Sequence, residues 1–332
     1  MLFLLYSVLS LSKLTILESE EKSFISFMRN YNIIYTGEEY SLRLGIFLSN
    51  LRYAQEFNKK NSKHLFKVGV NQFFALTPSE ISQYLKGAKG DTSQIINSPY
   101  LKDIKTQKRV SNDVPDSFDW RDKKDVVGEI KEQGSCGSCW AFSTITVQES
   151  RWSIEKGKKY RLSEQELIDC ATTCYGCYGG IPTNAIDYVI KNQNGHFDQD
   201  YLYPNRYQRE VCKYDPSHDV SLVTGYVKVK SGDENDLKEK LATLGPVSIL
   251  LDSSPWSFVY YTSGIYNDAK CSKTFFDHAV AFVGYGSENG TDYWILRNSW
   301  GTKWGENGYM RIQRNADNVC GLASNCIIPT VD

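Results

Sequence analysis

The 332-residue chain has almost no net charge and, beyond its first residues, no long apolar run. The formal net charge is -1, so charge alone predicts no attraction to nucleic acid or to a membrane surface. The apolar run from Leu2 to Leu11 is too short to span a bilayer. No later run is long enough to form a transmembrane helix. We therefore expect no nucleic-acid partner and no membrane span.

Cysteine is absent from the front third of the chain, and all nine cysteines lie from Cys136 onward. Nine are many for a cytosolic protein, and a disulfide framework formed in an oxidising compartment accounts for them. An odd number leaves at least one thiol unpaired within the chain. Because such a chain would be exported, we interpret the apolar start as the core of a secretory signal peptide over residues 1–17. The basic segment that usually precedes such a core is missing.

The front of the chain predicts helix over residues 20–60, because large apolar residues recur there at spacings of three and four. These positions are Phe24, Phe27, Met28 and Tyr31, then Leu44, Phe47, Leu48, Leu51 and Phe57. Residues 86–113 are rich in Gly, Ser, Asn and Lys without periodicity, which predicts a linker. At Val114 the composition changes, and Trp, Gly and Cys become frequent. We therefore divide the chain into a front segment, 18–113, and a rear segment, 114–332.

The rear segment predicts a helical half followed by a β half, an α+β fold. Helices are predicted over residues 140–156 and 184–190. Ser163 is expected to cap a further helix, with Glu166 three residues later completing a capping box. After about residue 220 the pattern changes to strands. The predicted strands are 227–229, 247–251, 279–283 and 293–296.

Cys136 and Cys139 are three positions apart, with two residues between them, and this spacing allows three interpretations. Cys174 and Cys177 repeat the spacing, and four such thiolates can hold zinc. However, the 34 residues between the two pairs exceed the usual spacing of a zinc ribbon. A redox pair would follow a strand in a thioredoxin-like unit, and no clear strand precedes Gln133. In the third interpretation, Cys136 is structural and Cys139 is a nucleophile.

Cys139 stands where a predicted helix begins, and the partial positive charge of a helix N-terminus favours a thiolate. A nucleophilic thiolate also needs a base. His196 and His218 lie in polar turns that suit a solvated imidazole. His278 instead opens an apolar strand, and Asn298 follows in a segment rich in Trp and Gly. An amide can orient an imidazole while a Trp shields their hydrogen bond from water.

The order Gln133, Cys139, His278 and Asn298 resembles the papain-like cysteine peptidase family. The segments QGSCGSCWAFS, DHAV and RNSWGTKWGENGY are close matches to the most diagnostic segments of that family. The resemblance runs from Val114 through Pro329. The segment CYGCYGG is also similar to cathepsin L-type enzymes of flagellate protists. The resemblance implies a papain-like two-domain fold, with a helical left domain, a β-barrel-like right domain and a cleft between them.

The front segment resembles the helical pro-region of cathepsin L-like enzymes. A spaced pattern on its long helix reads Glu39, Arg43, Phe47, Asn50, Ala54 and Asn58, with Ala54 departing at the aliphatic position. A second motif reads Gly69, Asn71 and Phe73, with Ala75 in place of an Asp. A pH-sensing role of that acid is therefore in doubt. The resemblance implies that residues 18–113 fill the cleft as an inhibitor, in the direction that prevents cleavage, and are removed between Lys108 and Val114.

The resemblance also implies a role for each site residue. Cys139 and His278 would form a thiolate–imidazolium pair with Asn298 orienting His278, and the Gln133 amide and the Cys139 N–H would form an oxyanion hole. Gly179 and Gly180 would let an extended substrate approach the backbone. A mostly apolar pocket would select bulky apolar residues at the second position before the cut. Its lining would be Ile181, Pro182, Leu250, Ala279 and, at the floor, Asn325.

By the same resemblance, six cysteines pair and Cys139 stays free. The implied pairs are Cys136 with Cys177, Cys170 with Cys212, and Cys271 with Cys320. Cys174 and Cys326 lie outside this pattern. They either form a fourth bridge or are two small buried residues.

The leading hypothesis is a cysteine endopeptidase of the secretory pathway, lysosomal, vacuolar or extracellular, made as an inactive precursor. It needs no cofactor and no metal. Its expected partners are polypeptide substrates, its own pro-region and cystatin-like inhibitors. The competing hypotheses are a catalytically inactive homologue that serves as a binding protein, against which the intact Cys139, His278, Asn298 and Gln133 argue, and a zinc-binding structural module.

Overall fold

The computed structural model describes residues 17–60, 65–85, 87–89, 98–102 and 114–331. The predicted signal peptide, apart from its last residue, lies outside the described residues. So does the predicted maturation site, apart from Val114 at its end. Within the described ranges, no helix has the length and apolar character needed to cross a membrane.

The described chain contains helices in the front segment, in the helical half and within the β half. The helices are α1 (Glu18–Tyr31), α2 (Gly37–Lys60), α3 (Pro78–Leu85), α4 (Cys139–Lys156), α5 (Glu164–Cys170), α6 (Pro182–Asn192), α7 (Glu234–Leu244) and α8 (Trp256–Val259). The strands are β1 (Phe66–Val68), β2 (Phe118–Asp119), β3 (His196–Phe197), β4 (Ser221–Leu222), β5 (Gly225–Lys228), β6 (Val247–Leu251), β7 (Tyr261–Tyr266), β8 (His278–Glu288), β9 (Thr291–Arg297), β10 (Tyr309–Gln313) and β11 (Cys326–Thr330).

The helix predicted over residues 20–60 is two helices with a reversal between them. Asn32 adopts a left-handed conformation, with φ 54°, and ends α1. Because of this break, α2 folds back against α1. The ring of Phe47 then lies 5.3 Å from that of Phe24 and 5.1 Å from that of Phe27. The apolar periodicity indicated the buried faces correctly and missed the turn.

Aromatic packing and strand pairing both attach the front segment to the β half. Phe74 lies between them, 5.9 Å from the ring of Phe47 and 4.6 Å from the ring of Tyr260. In addition, β1 pairs antiparallel with β7 of the β half. Further along, residues 98–102 reach β5, where the Lys102 N–H donates to the Tyr226 carbonyl at 2.9 Å.

The polar residues of the front motifs hold backbone groups in place. Asn50 donates its side-chain amide to the Phe74 carbonyl at 2.9 Å, and Asn71 donates to the Val259 carbonyl at 2.7 Å. Arg43 forms two hydrogen bonds with Glu80, at 2.7 and 2.8 Å. These bonds lower the pKa of Glu80 to about 2. The Arg43–Glu80 pair therefore contributes stability at neutral pH and loses it only as the pH falls toward that value.

The helical half agrees with the sequence prediction except at one cap. α4 and α6 contain the helices predicted over 140–156 and 184–190. Ser163 caps α5 as predicted, accepting a hydrogen bond from the Glu166 N–H at 3.0 Å. The capping box is wrong, because the Glu166 carboxylate accepts from the Asp198 N–H at 2.8 Å instead of reaching back to Ser163. A distant segment of the chain competes successfully for this carboxylate.

All four predicted strands are present, in β5, β6, β8 and β9. The main sheet has the order β1-β7-β10-β9-β8-β6-β11-β5, with β2 paired to β8. The resemblance implied a barrel-like arrangement, but the ladders between the described strands leave the sheet open and do not close it into a barrel. β1 and β5 end this path.

Helix α7 within the β half was not predicted, although its sequence carries a clear signal. The Asp233 side chain accepts hydrogen bonds from the N–H groups of Asn235 and Asp236, as an N-cap does. Leu237 and Leu241, four residues apart, are both buried. The cap and this spacing together would have identified the helix.

Three disulfides join the pairs that the resemblance implies: Cys136–Cys177, Cys170–Cys212 and Cys271–Cys320. The first takes one cysteine from each of the two closely spaced pairs, which removes the four-thiolate zinc site. Cys174 and Cys326 are unbonded and buried. Cys174 lies in the core of the helical half and Cys326 in that of the β half, so the fourth bridge is wrong and these are two small buried residues.

Candidate active site

The candidate site lies where the first turn of α4 meets the first residues of β8. Cys139 is the first residue of α4, and His278 is the first residue of β8. The Ala279 N–H donates to the Cys139 Sγ at 3.4 Å. One turn further along α4, the Ser143 hydroxyl donates to the Val280 carbonyl at 2.7 Å. The helix start and the strand start are therefore fixed against each other by hydrogen bonds.

His278 is held on both sides by residues from the segment after β9. Its Nε2 lies 2.8 Å from the Asn298 Oδ1. Because a carbonyl oxygen only accepts, Nε2 carries the hydrogen in this pair. The Trp300 ring stacks on the imidazole, with ring centres 4.7 Å apart. All three residues are buried, so the His278–Asn298 bond is protected from water.

The other two histidines of the rear segment lie elsewhere in the helical half. His196 belongs to β3, and its Nδ1 is 3.5 Å from the Asp219 carboxylate. His218 ends a short helical turn, with its Nε2 3.9 Å from the Asp215 carboxylate. Neither is hydrogen-bonded to Cys139 or Asn298 among the contacts that the structure describes.

The Gln133 side chain is buried and held from two directions. Its Oε1 accepts a hydrogen bond from the Ser299 hydroxyl at 2.7 Å. Its Nε2 donates to the Cys136 carbonyl at 3.0 Å. The Gln133 N–H also donates to the Ser299 carbonyl, at 2.9 Å. This amide is thus tied to the turn that leads from Gln133 into α4.

Residues Gly87–Lys89, which we call the cleft segment, cross the site. The Ala88 N–H donates to the Asp277 carbonyl at 3.0 Å. On the other side, the Gly180 N–H donates to the Gly87 carbonyl at 2.8 Å, and the Lys89 N–H donates to the Gly180 carbonyl at 3.2 Å. Ala88 and Gly180 form a parallel bridge. The cleft segment therefore joins the two walls and covers Cys139.

Ala88 occupies the apolar pocket that the sequence analysis assigned to substrate. It packs in one buried cluster with Cys139, Ile181, Leu250 and Ala279. The other two predicted lining residues are beside this cluster. Pro182 begins α6 directly after Ile181. The Asn325 carbonyl accepts a hydrogen bond from the Leu250 N–H at 3.1 Å.

Phe276 also packs against this cluster, and the sequence analysis missed it. It directly precedes Asp277 and His278, and this position next to the candidate base in the sequence could have identified it. A large aromatic ring adds apolar area to the wall that Leu250 and Ala279 begin.

Glycine is required where the cleft segment passes closest to the walls. A Cβ on Gly179 would lie 2.9 Å from the Lys89 Cβ. A Cβ on Gly87 would lie 2.4 Å from the Gly137 carbonyl oxygen and 2.8 Å from the Cys139 Sγ. Such distances are too short for a methyl group. Backbone approaches backbone directly at both positions.

The pKa of the Cys139 thiol is raised in this covered state, whereas the sequence analysis expected a lowered pKa for Cys139 when it acts as a nucleophile. Burial under the cleft segment is the main cause and raises the pKa to about 12. The N–H groups of Ala279, Gly87 and Trp140 oppose the shift without overcoming it. The position at a helix start was predicted correctly, but desolvation outweighs the helix in the covered site.

Comparisons with known proteins agree with this arrangement. A family model described as papain family cysteine protease matches residues 114–330, and a model of the cathepsin propeptide inhibitor domain matches residues 24–81. Digestive cysteine proteinase 1 of Homarus americanus is 39% identical over 301 residues, covering 89% of each chain. Pro-cathepsin H of Mus musculus is 38% identical over 322 residues, covering 96% of this chain and 93% of that one.

The fold is similar to that of a solved precursor structure. The digestive procathepsin L2 proteinase from the larval midgut of Tenebrio molitor superposes with a TM-score of 0.86 at 37% identity. The match covers 94% of this chain and 100% of that one, so it includes both the front and the rear segments.

Replacing Gly87 with Ala is expected to open the site. The added methyl would collide with the Gly137 carbonyl oxygen. Overpacking of this kind costs roughly 1–3 kcal/mol, which corresponds to an open population about 5-fold to 160-fold larger. We expect iodoacetamide to alkylate Cys139 faster in the Gly87→Ala chain by a factor in this range, measured by peptide mapping. The matched control is Gly45→Ala, because a Cβ at Gly45 meets nothing within 4 Å. Equal alkylation rates in the two variants would contradict the close contact at Gly87.

The raised pKa of Cys139 predicts a neutral thiol in the uncut chain. A thiol whose pKa is raised to about 12 stays protonated throughout the neutral range. We expect the ultraviolet difference spectrum between the intact chain and its Cys139→Ser variant to show no thiolate between about pH 5 and about pH 9. The thiolate band should appear in that range once the front segment has been removed. A full thiolate step in the uncut chain would refute this interpretation of the burial.

Proposed function

Because the chain belongs to the papain family of cysteine proteases, we propose that its processed form is an endopeptidase that cleaves proteins through Cys139 and His278. The chain is a cysteine-type peptidase made as a proenzyme with a cathepsin propeptide inhibitor domain. One observation carries the assignment of residues: the Ala279 N–H contacts the Cys139 Sγ while the adjacent His278 bonds Asn298.

In the proposed reaction, the Cys139 thiol gives its proton to the Nδ1 of His278. The resulting thiolate attacks the carbonyl carbon of the scissile peptide bond. His278 then protonates the leaving amine as the C–N bond breaks, which leaves a thioester on Cys139. A water molecule, deprotonated by His278, attacks the thioester. The C–S bond breaks, the acid product leaves, and the thiol is restored.

The proposed ion pair depends on removal of the cleft segment. While Gly87 and Ala88 cover the sulfur, burial keeps it neutral. Once they leave, the start of α4 and the imidazolium of His278 both favour the thiolate. Asn298 and Trp300 would keep the imidazole in one tautomer and one orientation through both proton transfers.

The developing oxyanion is assigned to two donors at the start of α4. These are the Cys139 N–H and the Gln133 side-chain amide. The bonds of Gln133 to Ser299 and Cys136 support this role, because they hold the amide in place before a substrate arrives. A donor that needs no reorganisation stabilises the transition state best.

The apolar cluster around Ala88 supports a preference for bulky apolar residues at the second position before the cut. Ile181, Leu250, Ala279 and Phe276 supply aliphatic and aromatic surface there. Asn325, at the proposed floor, carries no charge and would not select arginine. A larger side chain than that of Ala88 would bury more apolar area in the same pocket.

The cleft segment supports the proposed role of the pro-region as an intramolecular inhibitor. It fills the pocket and covers the sulfur, so both substrate binding and attack are blocked. We assign its removal to cleavage between Lys108 and Val114. Cystatin-like protein inhibitors are proposed partners of the processed enzyme, because the opened cleft would be accessible to them.

Three disulfides and the names of the relatives support entry into the secretory pathway. Disulfides persist in oxidising compartments. The proposed destination is therefore a lysosome, a vacuole or the extracellular space. A signal peptide over residues 1–17 would direct the chain there.

Acid activation of the purified precursor tests the proposed function. We expect a product whose N-terminus lies between Lys108 and Val114. We also expect it to cleave library peptides best when the second residue before the scissile bond is bulky and apolar. A thiol-directed inactivator should label Cys139 stoichiometrically and abolish activity, and the Cys139→Ala precursor should stay inactive. Persistent activity in that variant would refute the nucleophile. A profile in which arginine is best would refute the pocket assignment.

Replacing Gln133 with Ala tests the oxyanion assignment. Loss of one such donor lowers kcat by about a hundredfold, with little change in KM, because the interaction forms only in the transition state. Steady-state kinetics on the processed enzyme measures both constants. Gln199→Ala is the control, since among the described residues that amide makes only a 3.4 Å hydrogen bond, to the Tyr201 hydroxyl. A kcat close to that of the unmodified enzyme would remove Gln133 from the site.

A further inference from the structure

We propose that Tyr207 is a positioning residue for the oxyanion hole, acting through the turn at Gly134 on the side-chain amide of Gln133. This inference rests on the proposed function. The ring of Tyr207 packs on Gly134, and Gly134 follows Gln133 directly. No substrate contact is assigned to Tyr207.

Tyr207 has an unusual backbone conformation, with φ 58° in the left-handed region. Among the described residues, eight of the ten non-glycine residues with positive φ are Asn or Asp, which tolerate it. The remaining two are Tyr207 and Cys320, and Cys320 is fixed by a disulfide. A bulky aromatic residue persists in this conformation only where its surroundings hold it there. The loop around Tyr207 must therefore be restrained.

The restraint comes from Gln165, a fully buried residue of α5. Its Oε1 accepts a hydrogen bond from the Arg206 N–H at 2.7 Å, and its Nε2 donates to the Gln208 carbonyl at 2.7 Å. One side-chain amide thus binds the residues on both sides of Tyr207. The Tyr207 N–H itself donates to the Asn205 side chain at 2.9 Å. Gln165 of α5 therefore determines where the loop holds the Tyr207 ring.

The ring set in this way lies directly against Gly134. A Cβ on Gly134 would be 2.6 Å from the Cδ1 of Tyr207 and 3.2 Å from its Cε1. On another side, Gly134 lines a cavity together with Gln133, Ser299 and Trp300. Gly134 therefore contacts the Tyr207 ring and also borders this cavity, which Gln72, Phe73 and Leu76 of the front segment line as well. The contact leaves 49% of Tyr207 exposed, so its outer part faces solvent.

The turn that the ring packs on determines where the Gln133 amide points. The Gln133 Nε2 donates to the carbonyl of Cys136, at the other end of the same turn. Gly134 adopts φ 57°, and a glycine gives a turn access to many other conformations. Packing of the Tyr207 ring excludes the turn conformations that would move Gly134 into the space occupied by the ring. Without the ring, the turn would spend less time with the amide aimed at the oxyanion.

A double-mutant cycle on the acid-processed enzyme tests this inference. The single variants are Tyr207→Gly and Gln133→Ala, and the double variant combines them. Glycine suits the left-handed conformation, so Tyr207→Gly should preserve the fold and the thermal unfolding midpoint while removing the ring. We expect it to lower kcat about tenfold with KM nearly unchanged, since small displacements of a positioning group have effects of this order or larger. In the Gln133→Ala background it should have no further effect.

Three further measurements separate positioning from general damage. Tyr207→Phe keeps the ring and should restore kcat to within about twofold of the unmodified enzyme. Alkylation of Cys139 by iodoacetamide forms no oxyanion, so its rate should be unchanged in Tyr207→Gly. Tyr201→Ala is the matched control, because Tyr201 is 72% exposed in the same region of the chain and the three atoms nearest to a Cβ on Gly134 all belong to Tyr207. If Tyr207→Gly does not fold, Tyr207→Asn takes its place, since Asn also tolerates positive φ.

The outcomes distinguish this inference from the proposed function. An unchanged kcat in Tyr207→Gly, or an equal loss of kcat with and without Gln133, overturns the role of Tyr207 while the peptidase assignment stands. A parallel loss of alkylation rate also overturns it, because the damage would then reach the Cys139–His278 pair. An unchanged kcat in Gln133→Ala overturns both this inference and the proposed oxyanion hole. Absence of any peptidase activity that depends on Cys139 overturns the proposed function itself.

Discussion

The buried hydroxyl of Ser143 joins the two halves of the rear segment at the point where the site forms. It donates to the Val280 carbonyl and lies 2.7 Å from the Ser248 hydroxyl, so α4 is joined to both β8 and β6. A buried hydroxyl that loses its partners is strongly unfavourable, so this junction resists sliding of helix past strand. The relative position of Cys139 and His278 follows from it.

The covered sulfur has a consequence for how acid acts on the precursor. In the covered site, burial raises the pKa of Cys139 to about 12, so the thiol is already neutral at neutral pH and acid does not change its charge. Acid therefore does not release the cleft segment through Cys139. Two carboxylates of the front segment respond to acid differently. The pKa values of Glu80 and Glu20 are both lowered to about 2 by their arginine partners, so protonation at low pH weakens these ion pairs. With Ala75 in place of the motif's acid, destabilisation of the front segment by acid would depend on groups such as these.

Local patterns in the sequence were sufficient to predict most helices and strands and to identify the site residues along the chain. The start of α4 at Cys139 and the apolar strand after His278 are both encoded within about one turn or a few residues. Predictions failed where a distant segment decides the outcome. The Glu166 carboxylate accepts a hydrogen bond from the Asp198 N–H instead of from its own helix start, and burial, to which the approach of Gly87 contributes, raises the pKa of Cys139. Phe276 was missed although it directly precedes Asp277 and His278, because its packing against the pocket cluster follows from the folded chain.

The pairing of β1 with β7 also determines which strand lies at the edge of the main sheet. In the precursor the outermost strand of this side of the sheet is β1, which has only three residues. Removal of the front segment leaves β7, with six residues, at the edge. A longer open edge presents unpaired backbone groups to other chains, and proteins commonly keep edges short to avoid aggregation. In the precursor β1 therefore covers the edge of β7, and loss of the front segment would expose that edge together with the cleft.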